Sequence, residues 1–197
     1  MSKSDPEASK RERMKSVKWV ITIFLTTIAI SGIITLISDE VMERSGLAVA
    51  FVILLFIILL GILFDIIGMA VASADEKPFH SMAARKVPGA QDAIRLLRNA
   101  ERVSSICNDV VGDICGVVGG AASAAIAVRL VQSISISWPN LISLIMSALV
   151  AGLTVGGKAI GKFFAVNSST KIVYIVGKFL YTLRNFPKLF QKKKKKR

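Results

Sequence analysis

Four long apolar runs constrain this chain more than any other feature. They are Trp19–Ile37, Leu47–Val71, Ile106–Val128 and Leu141–Ala165. About 20 apolar residues in helical form cross a bilayer core of about 30 Å, so each run is long enough to span a membrane. A helix also satisfies its own backbone hydrogen bonds, as lipid requires. The sequence therefore predicts an all-α integral membrane protein with about four transmembrane helices.

The composition agrees with a membrane protein. Hydrophobic residues make up 53% of the chain and charged residues 20%, which is compatible with a fold only if the charges lie near the ends of the apolar runs. The 197 residues suffice for one helical bundle and leave no room for a large soluble domain. No small-residue cleavage site follows Ile37, so the first run is interpreted as an uncleaved anchor.

Lysine and arginine predict the orientation in the membrane. Six precede Trp19, six lie between Ala72 and Ser105, and ten follow Ala165, whereas the two intervening loops, Ser38–Gly46 and Arg129–Asn140, hold one each. By the positive-inside rule both termini are cytoplasmic and the protein is a multi-pass protein of the cell membrane. The net charge of +13 is then explained by the lysines and arginines of the cytoplasmic segments. No nucleic-acid partner is expected.

Two amphipathic stretches lie outside the spans. Between Gly89 and Arg102 an apolar stripe opposes an arginine stripe, which predicts a helix on the inner leaflet; the stripes are Ala90, Ile94, Leu97 with Glu101, and Arg95, Arg98 with Arg102. A second apolar stripe, from Ile172 to Leu183, follows the fourth span. The final basic run is interpreted either as a solvated topology anchor or as a site for anionic lipids; it comprises Lys192, Lys193, Lys194, Lys195, Lys196 and Arg197.

Carboxylates inside the apolar runs are the candidate functional groups. Asp109 and Asp113 lie four residues apart in the third run, and Asp65 lies near the end of the second. A carboxylate at membrane depth costs about 2.5 kcal/mol or more, so it must face a partner, water or an ion. At i, i+4 spacing two side chains project from nearly one side of a helix. These acids are therefore expected to meet groups on other helices.

The remaining reactive residues carry no catalytic pattern. Cys107 and Cys115 lie two helical turns apart, too far for a disulfide along one helix, and are interpreted as small packing residues. His80 has no metal-binding cluster around it in the sequence. No Walker, dinucleotide, zincin or nucleophile-elbow motif is found, and no enzymatic activity or nucleotide cofactor is expected.

Small residues recur every four positions on the last two spans. Such rows let helix backbones approach closely in lipid, so they predict helix packing. The residues are Gly112, Gly116 and Gly120 on the third span and Gly152 and Gly156 on the fourth, with Gly157 and Gly161 forming a parallel row.

The order of these pieces resembles a known family. Phe64–Ala70, then Arg95–Arg102, then Ile106–Val111 resembles the transmembrane DUF21 domain of the CNNM and CorB/CorC magnesium transport proteins, and Gly157–Lys162 fits the frame of that family's third-helix motif. The resemblance divides the chain into a basic tail (1–18), an extra membrane span with its outer loop (19–46), the family-like domain (47–183) and a polybasic tail (184–197). It implies transport or homeostasis of Mg²⁺ and a homodimer that meets through the small-residue helices.

The resemblance also implies a metal site. Family members bind Mg²⁺ with small polar groups at the end of one helix, an asparagine of the next and a glutamate of the third. By position Asn108 is retained, Asp65 stands where a serine is expected, and Lys158 replaces the glutamate. An ammonium cannot bind Mg²⁺ as a ligand and repels it. The CBS domains of the family are missing from this sequence.

Three interpretations of the acids follow. In the first, Asp65, Asn108, Asp109 and Asp113 form a rearranged cation site, with Lys158 turned away. In the second, Lys158 neutralises one of the acids in a buried pair, and the bundle is a structural or partner-binding accessory module. In the third, the acids are interfacial and close to water. The sequence alone leaves these three open.

Overall fold

The computed structural model describes residues 6–134 and 138–194, and the described part is almost entirely helical. Residues 1–5, 135–137 and 195–197 lie outside it. The helices, in chain order, are α1 (Pro6–Arg44), α2 (Leu47–Ser73), α3 (Lys77–Ala84), α4 (Ala90–Arg98), α5 (Ala100–Ser105), a π-helical segment (Ile106–Gly112), α6 (Asp113–Ile134), α7 (Pro139–Asn167) and α8 (Ser169–Lys194).

Four of these helical stretches are long and apolar enough to cross a membrane. They are Val17–Ser38, Leu47–Ser73, Ala100–Ser133 and Asn140–Asn167. The predicted fold class, an all-α membrane protein with four spans, is confirmed. The predicted loop Ser38–Gly46 is mostly helical, because α1 continues to Arg44. The third span, predicted as Ile106–Val128, is longer at both ends, because α5 extends it back to Ala100 and α6 extends it to Ser133.

The helix α2 lies at the centre of the bundle. It packs against α6, α7 and the π segment, and its buried residues run along most of its length. Close approach to α7 depends on Gly157 and Gly161, since a Cβ on either would collide with Ile62 or Ile66 of α2. Close packing of this kind supplies the association energy that water would supply outside lipid.

The added helix α1 lies at the periphery. None of the most apolar window of its span is buried in the chain, and its main contact is with α6. At one end of the span the Arg102 guanidinium lies 5.3 Å from the centre of a Trp19 ring, a cation–π contact that links α1 to α5. This helix is therefore an attached anchor and not part of the central packing.

A juxtamembrane layer of α3, α4 and α8 covers the end of α2. The core of this layer contains Phe79, Ala93, Ile94, Leu97 and Val173. Burying one large apolar side chain contributes about 1.5–3 kcal/mol. The sequence correctly predicts that α4 is amphipathic. Its predicted place on the inner leaflet is wrong, because its apolar side packs on protein and leaves no stripe for lipid.

Candidate intramembrane charge site

Three charged side chains from three different helices lie together, well away from the ends of the membrane spans. Lys158 of α7 places its Nζ 3.7 Å from Oδ1 of Asp65 on α2 and 3.9 Å from Oδ1 of Asp113, the first residue of α6. Asp65 lies eight residues before the end of α2, and Lys158 lies nine residues before the end of α7. At 1.5 Å per residue these charges are about 12–14 Å from those helix ends. The three residues are called the charge cluster below.

The members of the charge cluster differ in burial. Asp65 is 6% exposed, the Lys158 side chain is 23% exposed, and the Asp113 side chain is 72% exposed. Gly112 lies beside the cluster, since a Cβ there would lie 3.4 Å from Asp65 Oδ1 and 3.5 Å from Lys158 Nζ, which are ordinary contact distances. The interpretation in which Lys158 turns away from the acids is therefore wrong for this structure.

Asn108 lies one turn from the charge cluster, in the π segment. Its Nδ2 donates a hydrogen bond to Ser104 Oγ at 3.3 Å. Its Oδ1 is buried and has no hydrogen-bond partner among the described residues. This oxygen lies against Gly68 of α2, where a Cβ would collide with it. A buried amide oxygen without a donor is costly, and a single π-helical turn within an α-helix often marks a functional site.

Asp109 is separated from the charge cluster. Its Oδ2 accepts a hydrogen bond from Ser105 Oγ at 2.8 Å, and its exposed side chain lines an open cleft of about 390 Å³ together with Glu101 and Ser104. Within residues 6–134 and 138–194, no three His, Cys, Asp or Glu residues come together as a metal-binding group. The predicted set of Asp65, Asn108, Asp109 and Asp113 thus divides into separate places and does not form one ligand shell here.

The small residues predicted to pack have two different environments. Gly112 is buried beside the charge cluster. A Cβ at Gly116, Gly120, Gly152 or Gly156 would meet nothing within 4 Å. These four glycines therefore do not pack within the chain, and the α2–α7 contact uses Gly157 and Gly161 instead. Cys107 and Cys115 are buried free thiols, as the packing interpretation expects.

A second buried acid joins α4 to α8. Asp92, 6% exposed, pairs through Oδ1 with Nη1 of Arg184 at 2.7 Å and with Nη1 of Arg95 at 3.3 Å. No pattern considered in the sequence predicts this contact. Two signals were available in the sequence. Asp92 lies in the first turn of a predicted helix, where the helix dipole favours an acid, and the neighbouring charges on that helix are basic.

All acidic residues of the chain precede Ile114, so α7 and α8 contain none. Every cation on these two helices that forms an ion pair must therefore find its acid earlier in the chain. Lys158 and Arg184 do so, on α2, on α6 and on α4. The side chains of Lys192–Arg197, the predicted lipid-binding run, lie outside the part that the structure describes.

The fold and the charge cluster define a multi-pass α-helical membrane protein with ionisable groups inside the bundle. No protein-family model matches this chain, and neither a curated protein nor a solved structure does.

Proposed function

We propose that this protein is an accessory module of the membrane, structural or partner-binding, in which Lys158 takes the place that a bound cation holds in magnesium transporters. The supporting observation is the position of the Lys158 ammonium, within 4 Å of both Asp65 and Asp113. Two carboxylates of different helices thereby share one tethered positive charge. The arrangement holds α2, α6 and α7 together without an ion.

Electrostatics supports the accessory role over divalent-cation binding. An ammonium close to both acids repels a second cation, and the repulsion between a divalent ion and Nζ is large where water is excluded. Mg²⁺ usually binds through one or two carboxylates and keeps several waters, but both carboxylates of the charge cluster already lie within 4 Å of the Lys158 ammonium. Binding of Mg²⁺ at the charge cluster requires that Lys158 first move away.

A second candidate function is transport or homeostasis of Mg²⁺, as in the CNNM and CorB/CorC proteins. The observation that favours it is the buried Asn108 Oδ1, which has no hydrogen-bond partner within the described part of the chain. This oxygen lies against Gly68 of α2, one turn along that helix from Asp65. An amide oxygen and a carboxylate are suitable ligands for a hard cation. In this case Lys158 moves away from Asp65 and Asp113 when the ion binds.

Titration with Mg²⁺ distinguishes the two functions. We expect millimolar MgCl₂ to leave the thermal unfolding midpoint of the purified protein unchanged, compared with NaCl of equal ionic strength. A ligand that binds only the folded protein raises the midpoint by mass action. A rise with Mg²⁺ that disappears in Asn108→Ala would refute the accessory role and support the second candidate.

Homodimer formation is a further part of the proposal. The Asp113 side chain is 72% exposed, and Gly116 and Gly120, one and two turns along on the same side of α6, have open space beside them. Neither an acid nor a row of glycines gains anything from lipid. A second copy of the chain covers this side in our proposal.

The dimer predicts that Gly120→Leu produces monomers. The added side chain meets nothing within its own chain, so folding is retained while close approach of a second copy is blocked. Gly32→Leu is the matched control, because Gly32 also has open space but lies on α1. Photobleaching steps of single labelled molecules in lipid count the copies. Equal step counts in both variants would contradict the proposed interface.

The proposed topology places both termini in the cytoplasm. A cysteine at Glu43 is then labelled in intact cells by a membrane-impermeant maleimide, and a cysteine at Arg98 is labelled only after the cells are opened. Both are tested after Cys107 and Cys115 are changed to alanine. Labelling at position 98 in intact cells would reject the four-span topology.

A further inference from the structure

The helix α8 has one side that is fixed to protein. Gly177 packs against Gly89, so closely that a Cβ on Gly177 would lie 2.7 Å from the Gly89 carbonyl oxygen. Val173 is fully buried on the same side, and the Arg184–Asp92 ion pair extends the contact toward the C-terminal end of α8. Because this side of α8 packs on protein, the opposite side of the helix faces away from α4.

On this opposite side, α8 exposes a row of large apolar side chains. Ile175 and Phe179 are each 63% exposed and Leu183 is 54% exposed. They follow one another at i, i+4 and i+8, so they form one stripe along α8. A contiguous apolar stripe of this kind on a helix marks a surface that something covers.

The stripe does not belong to a membrane span. The four spans found in the described chain end with Asn167, before α8 begins. Only Ser168 separates α7 from α8, so α8 starts at the boundary where a spanning helix leaves the membrane. A helix with an apolar stripe and a polar remainder at such a boundary lies in the interface plane.

The charges beside the stripe indicate what kind of molecule covers it. Lys171 and Lys178 are exposed and lie beside the stripe on the helix surface, and α8 has no acidic residue. Lysine at the edge of an apolar stripe reaches headgroup phosphates while its methylene groups remain in the apolar layer. Anionic phospholipids carry the complementary charge.

We propose that α8 is docked on an anionic phospholipid leaflet, with Ile175, Phe179 and Leu183 at the acyl boundary and Lys171 and Lys178 on headgroup phosphates. α4 lies on the other side of α8, away from the lipid. This docking surface is distinct from the basic run Lys192–Arg197, and it does not depend on the proposed function.

Spin-label accessibility in the full-length protein tests the docking. A label is attached at position 179, with Cys107 and Cys115 changed to alanine, in vesicles of phosphatidylcholine and phosphatidylglycerol. We expect the label to collide with oxygen several-fold more than with a water-soluble nickel complex. A label at Arg98, exposed on α4, is the control and should show the reverse. Equal exposure of both labels to nickel would overturn the docking.

Two further results separate lipid from other occupants. If a second copy covers the stripe, the spectrum of the label at 179 is broadened and sharpens on dilution with unlabelled protein, which would overturn the proposal. In vesicles of phosphatidylcholine alone, and in Lys171→Gln/Lys178→Gln, we expect a several-fold rise in nickel accessibility at 179. No difference between the two vesicle compositions would refute the choice of anionic lipid.

Discussion

Lys158→Met is expected to lower the free energy of unfolding by about 3 kcal/mol, as is typical when one member of a buried ion pair is removed. The variant leaves Asp65, almost fully buried, without its cation. Asp113 contributes less to the loss because its side chain is largely exposed. The measurement is denaturant unfolding of the purified protein in detergent.

Two variants control this prediction. Lys162→Met makes the same change one turn further along α7, at an exposed position, and should change stability by less than about 0.5 kcal/mol. Asp65→Asn combined with Lys158→Met should restore much of the lost stability, because no uncompensated carboxylate remains. If Lys158→Met and Lys162→Met behave alike, Lys158 does not neutralise the buried acid.

Gly177→Ala is expected to reduce stability by about 1–3 kcal/mol, the usual range for overpacking a tight contact. The new methyl group would lie 2.7 Å from the Gly89 carbonyl oxygen and 2.9 Å from Ala93 N. Gly89 cannot adjust easily, since its φ of +89° is a conformation that side-chain-bearing residues rarely adopt. α8 should therefore separate from α4, which faster amide hydrogen exchange in α4 would reveal.

Gly32→Ala is the matched control for this variant. Both glycines lie inside helices, where alanine is intrinsically favoured by about 1 kcal/mol, but Gly32 has nothing within 4 Å of its new methyl group. The control should thus be neutral or slightly stabilising. A neutral Gly177→Ala would contradict close packing of α8 on α4.

The spans could be predicted from the sequence because hydropathy is a local property. Each apolar run lies within a helix that is long enough to cross a membrane, and no knowledge of neighbouring helices is needed to recognise it. The amphipathic character of α4 and α8 is local in the same way. Hydropathy does not say what covers an apolar side, so the pattern of α4 predicts contact with lipid where Phe79 and Val173 cover it instead.

The charge cluster could be predicted only in part. Asp65, Asp113 and Lys158 stand out individually as charges in apolar runs. Their meeting depends on the relative rotation and depth of three helices, which no local pattern encodes. Asp109 shows this limit, since its i, i+4 relation to Asp113 suggested a common partner. The structure instead gives it a hydrogen bond from Ser105, on its own helical stretch and closer to the end of the span.

The confinement of acids to the part of the chain before Ile114 has a consequence for biosynthesis. Chains emerge and fold from the N-terminus, so α2 and α6 enter the membrane carrying Asp65 and Asp113 before α7 is made. Insertion of α7 brings Lys158, whose own cost near the centre of a span is about 2.5–3.5 kcal/mol, to acids that are already in place. Neutralisation of these acids thus follows the insertion of α7, and a chain stopped before α7 retains Asp65 and Asp113 without the Lys158 ammonium.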